Sequence, residues 1–166
     1  VNAQLRSSEA IAMAGNQSQE YIAELQANTT FDVAKMNNMT QEQVALINSR
    51  TTLEAAEITG MTQRDVANIK GQYEEAIALA TNLSREEVQR LQNDSAREVT
   101  TIQASSAQNV ATLNNLASIS IAEDSNATQS EIARLQTEAT KAVALDNNTT
   151  ELEIAKLIYS ADATTL

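Results

Sequence analysis

The side chains whose type and spacing could do chemistry are two aspartates, Asp124 and Asp146, set twenty-two residues apart. Both fall where the surrounding pattern otherwise places large aliphatic residues. A carboxylate on a face meant for burial must stay hydrated, take up a proton or bind a cation. That leaves a cation site or a register marker, against the simpler reading of a hydrated, loosened stretch near one end. The segment Asp124–Leu135, DSNATQSEIARL, opens like a calcium loop. It lacks the central Gly, and Leu135 stands where a bidentate Glu is required, so the motif is rejected.

A second set of candidates is the acceptor pattern Asn-x-Ser/Thr, which occurs at Asn16, Asn28, Asn38, Asn82, Asn93, Asn126, Asn147 and Asn148. On a secreted protein these would carry glycans. The pattern also arises from the repeat described below, which favours Asn two places before a Ser/Thr column. Beyond these, little is available for catalysis. The chain has no His and no Cys, and no Gly-rich phosphate loop or nucleophile constellation is visible, so no enzyme, cofactor or metal centre is expected.

The elements that must carry these residues are set by an eleven-residue repeat. Between Ile11 and Ile154, thirteen of fourteen positions spaced by eleven are Ile or Val, with Ala55 the exception. With this as column zero, column three holds ten large apolar residues plus Ala14, Ala80, Asp124 and Asp146. Column seven is Ser or Thr ten times, and column one is Ala twelve times. Column four favours Asn and Gln. The column before zero is acidic at Asp32, Glu54, Asp65, Glu87, Glu98, Glu131 and Glu153, as expected of a charged edge beside a core.

Eleven residues close three turns at about 3.67 per turn, close to the relaxed helix. Columns three, seven and zero therefore stay on one side, with the small hydroxyl column between the two aliphatic ones. This places the association seam on Ile22, Leu25, Val33, Met36, Val44, Ile47, Val66, Ile69, Val88, Leu91, Val99, Ile102, Val110, Leu113, Ile132, Leu135, Ile154 and Leu157. Seam hydroxyls can bond back to the carbonyl four residues earlier and need no partner across the interface. The Ala column lies to one side and widens the contact, which favours three or more helices, a parallel tetramer foremost.

The repeat keeps phase across GNQSQ at 15–19, Asn37–Asn38, Gly60, Gly71 and Asp124–Asn126. Each glycine costs a helix about 1 kcal/mol, less than one covered aliphatic layer returns. Helix is therefore expected without interruption over 1–159, with a frayed tail at 160–166. The spacing also predicts an exposed Glu86–Arg90 pair. The fold class is all-α: one long helix per chain, assembling into a near-straight, slightly right-handed parallel coiled coil or bundle.

Composition narrows the partners. Aromatics are 2% and Pro is absent, so a globular fold with tight turns and an aromatic core is disfavoured. A net charge of −11 opposes nucleic acid and anionic membranes alike. No apolar run is long enough to span a bilayer. Val1 in place of an initiator Met suggests a processed chain or a piece of a longer one.

With Ile/Val in column zero and Leu/Ile in column three from Ile11 to Leu157, the chain resembles the right-handed undecapeptide-repeat coiled-coil stalks, of which the tetrabrachion stalk of archaeal surface layers is the best known. The resemblance is one of repeat type. It implies a parallel tetrameric spacer outside the cell, although this chain departs in its Ser/Thr seam centre, Ala stripe and two seam aspartates. Its composition is also similar to tailed-phage fibre and tape-measure coiled coils. A third reading, an amphipathic lipid-binding helix, fits less well because Lys is scarce. The expectation is a self-assembling structural protein forming an extracellular or virion-surface stalk or filament, with itself as partner.

Overall fold

A computed structural model describes residues 2–80 and 82–163, and side chains from Gln4 onward. The described residues form two α-helices, α1 (Asn2–Leu79) and α2 (Arg85–Ala163), with no strand among them. The all-α class holds. The expected single helix over 1–159 does not, because α1 ends at Leu79 and a second helix begins at Arg85. Of the tail expected to fray, 160–163 are the last residues of α2, and 164–166 lie outside the described residues.

The cause of the break is local chemistry at Ser84. Its backbone N–H donates to Glu87 Oε2 at 3.0 Å, and the Glu87 N–H donates to Ser84 Oγ at 3.3 Å. This reciprocal capping box satisfies two amides that a helix start leaves without partners. The Val88 N–H then closes the first turn onto the Ser84 carbonyl at 3.1 Å. Glu86 and Glu87 add negative charge where the helix dipole is positive. Leu83 and Val88 stand at the two staple positions flanking the cap and are both half-buried. Glu87 is thereby committed to the cap, and among the described residues no ion pair joins Glu86 to Arg90.

Why did the repeat not register the break? A reversal between Asn82 and Leu83 lies midway between Ile77 and Val88, two column-zero residues. Reflection about that point maps column zero onto itself, pairing the positions of Val66 with Val99 and Ala55 with Val110. An eleven-residue spacing is therefore preserved equally by continuing and by folding back.

The chain divides into two compact units, Val1–Gln41 with Ser125–Leu166, and Glu42–Asp124. In the first, the Ser7 hydroxyl reaches the Leu157 carbonyl at 3.5 Å, Ser18 donates to Asp146, and Thr40 bonds Thr128. Residue numbers fall along α2 as they rise along α1, so this pairing is antiparallel. The second unit contains the turn and is a helical hairpin, tied near the turn by the Tyr73 hydroxyl donating to Glu98 at 3.0 Å. The glycines are ordinary helix residues: a methyl group at Gly15, Gly60 or Gly71 would meet nothing within 4 Å.

Candidate functional site: an incompletely covered helix seam

Columns zero and three are covered at every position from Ile11 to Leu157, and column seven at all but the capping Ser84. All eighteen residues expected at the seam are on this covered side. Yet covering is partial. Among the described residues only Val99 (7% exposed) and Ser18 (9%) are buried; the other seam residues are half-buried.

The reason is geometric. Two helices can meet along one line only, and here column seven occupies it in each unit. Thr40 and Thr128, both of column seven, touch directly, as small side chains permit close approach. Column zero is then left on one side of the contact line and column three on the other. Each helix supplies the same column to the same side, so every pair of helices has two unlike grooves.

In the Glu42–Asp124 unit, the column-zero groove has a volume of about 650 Å³ and includes Val66 and Val110, with Gln63, Gln103, Ala107 and Asn114 along its sides. Nearer the turn, Ile77 and Val99 line a second stretch of the same kind, about 520 Å³. The other unit has its own column-zero groove of about 500 Å³, with Val33, Gln26 and Gln136. The column-three groove of the hairpin unit is smaller, about 290 Å³, with Ile58 and Ile102 at its base and Met61 and Asp65 at its rim.

Charge separates the two sides further. The helix flank beside column zero (columns four, eight, one and five) carries five charged residues: Lys70, Glu74, Arg85, Glu151 and Asp162. The flank beside column three carries twenty-six of the chain's thirty-three charges. The ion pairs sit on that charged flank: Arg134 bridges Glu131 and Glu138, and Arg50 meets Glu54 at 3.0 Å. The Arg134 guanidinium holds the Glu131 carboxyl below the usual carboxylate range, and the two glutamates raise Arg134 in turn. The Ala residues of column one, from Ala12 to Ala155, are all exposed.

The seam hydroxyls split into two behaviours. Thr29 and Thr62 bond back to the carbonyls of Leu25 and Ile58, both at 2.8 Å, as the sequence suggests. Ser7, Ser18 and Thr40 instead reach across the helix pair. Asp146 is thus a hydrogen-bonded seam residue whose partner is Ser18. Asp124 is half-buried, and no cluster of three or more His, Cys, Asp or Glu side chains placed to hold a metal occurs among the described residues. The eight candidate acceptor asparagines are all exposed; Asn82 lies in the turn and the others on helices.

Sequence reasoning missed the two-sidedness of the seam, the Ser84–Glu87 box and the Tyr73–Glu98 contact. The box was readable as S-x-x-E at 84–87. The grooves were not, because they exist only once two helices of known direction are paired. No family model, curated protein or solved structure matches the chain.

Proposed function

We propose that the chain is a structural, self-assembling coiled-coil protein, a building unit of an extracellular stalk or filament. The observation that carries this reading is the unfinished core. Thirteen Ile/Val residues stand in column zero, yet Val99 is the one buried apolar residue among those described. Apolar surface of this regularity is stabilised by removal from water at about 25 cal/mol per Å², which two helices alone cannot complete. Further helices would complete it.

The eleven-residue period favours a near-straight bundle with slight right-handed twist. Because each chain contributes a hairpin, its helices run both ways, and the parallel tetramer of single helices is replaced by an assembly of hairpins. The eight exposed acceptor asparagines support an extracellular setting. No helix among the described residues is long and apolar enough to cross a membrane. Support for a passive role comes from the grooves, which are open along the helices and form no enclosed pocket.

Native mass spectrometry on protein from its natural source tests the reading. The expected result is a discrete multiple of the 17.9 kDa chain mass with sugar-sized increments. A bare monomer overturns self-assembly. A multimer without increments overturns the glycosylated, extracellular part alone.

A further inference from the structure

We propose that the column-zero grooves are closed by a second copy of this chain, face on face, so that two hairpins make a four-helix assembly. This rests on the self-association reading and adds which face is used and how many chains meet.

The half-covered stripe sets what is missing. Column zero stays half-buried from Ile11 to Ile154, Val99 apart, and open grooves of about 650, 520 and 500 Å³ follow it in the two units. A stripe with a period of eleven is matched along its length by a helix that carries the same period. This chain supplies such a partner.

Charge selects the face. Two chains of net charge −11 repel one another wherever their acidic flanks meet. The column-zero side is where they can approach without that penalty, since its flank is nearly free of charge and the rest lies on the far side. Interface centres are depleted of charge for the same reason. The groove walls fit a like partner too. Gln63, Gln103 and Asn114 offer both amide donors and carbonyl acceptors, so identical residues can satisfy one another across a two-fold axis. Ala107 leaves room for the opposing helix to come close. The column-three groove is smaller, about 290 Å³, and the carboxylate of Asp65 is part of its lining.

The test is sedimentation of the whole chain with two matched double variants, read beside far-ultraviolet circular dichroism. Gln63→Glu with Ala107→Glu puts carboxylates into the column-zero groove at exposed helix positions. Ser105→Glu with Asn109→Glu does the same on the other side. The expected result is two chain masses for the wild type and for the second variant, and one chain mass for the first with its helix signal retained. Dissociation of the second variant only would overturn the face assignment while leaving self-association intact. A wild type at one chain mass overturns both readings, and three or more chain masses overturn the two-hairpin count. Should the first variant lose its helix signal, thiol labelling decides in its place. The chain has no Cys, so Ala111→Cys and Asn109→Cys each give a single probe, and slower labelling at 111 is expected. Equal labelling at both overturns the proposal.

Discussion

Ser18 is the most enclosed polar residue of the described chain, and its hydroxyl donates to Asp146 across the helix pair. Asp146 is half-buried, so water can replace the lost donor and the cost is that of one ordinary hydrogen bond, about 1 kcal/mol. Ser18→Ala is therefore expected to lower the stability of the chain by that amount in urea denaturation. Asp146→Leu, which restores the aliphatic rule of column three, should lower it less or raise it. If Ser18→Ala were silent while Asp146→Leu was strongly destabilising, Asp146 would be held by something other than this bond. Tyr73 offers a second residue-scale reading. Its phenol donates to Glu98, and that bond raises its pKa above the ordinary 10.0, with partial burial and the Glu98 and Asp94 charges acting in the same direction. The protonated phenol is the bonded form. The contribution is therefore complete below 10.0 and is lost as pH rises through the raised value. Ultraviolet titration should find this tyrosine ionising late, and Glu98→Gln should bring it back towards 10.0; an unchanged curve would remove the contact from solution.

At the scale of the element, the interruption between α1 and α2 is the feature that divides the chain, and Ser84 defines where α2 begins. Replacing an N-cap Ser by Ala costs about 1 kcal/mol. Ser84→Ala should lower the thermal midpoint accordingly, and amide exchange should quicken first at 85–88; uniform quickening along α2 would mean that the cap is not local. The same interruption shows what sequence could and could not carry. The covered columns were legible because a period of eleven fixes each residue's angle on the helix, whatever that helix packs against. Even the half-buried Asp124 and Asp146 obey their column. The break was not legible from the repeat, since Ile77 and Val88 keep their spacing on either side of it. Glu86 and Arg90 read as an exposed ion pair, but no ion pair joins them among the described residues, and the neighbouring Glu87 serves the cap instead. Short-range cap chemistry outweighed long-range phase, and only the former distinguishes a turn from a continuation.

For the whole molecule, the consequence of a hairpin is that helices and chains are no longer counted alike. Under the proposed closure by a second copy, four helices come from two chains, and the pairing direction within each unit is antiparallel. Which columns are covered was thus readable in the sequence, while the two-sidedness of the grooves required the antiparallel pairing. Val66 and Val110 share one groove with Gln63 and Gln103; Ile58 and Ile102 share the other with Met61 and Asp65. Nothing in the periodicity separates these sets, because both columns are simply apolar. What separates them is the small-residue contact line between, and the distribution of charge outside.

That contact line also has a mechanical meaning. Because its residue types recur every eleven positions, a helix displaced along its neighbour by one whole repeat, about 16.5 Å at 1.5 Å per residue, finds nearly the same surface again. Intermediate displacements do not, since they bring column three or column zero onto the line reserved for small side chains. Shear between helices would therefore advance in steps, each ending in a fresh grip. The few contacts that do not repeat, Ser18 with Asp146 above all, act as the latch that keeps the first position preferred.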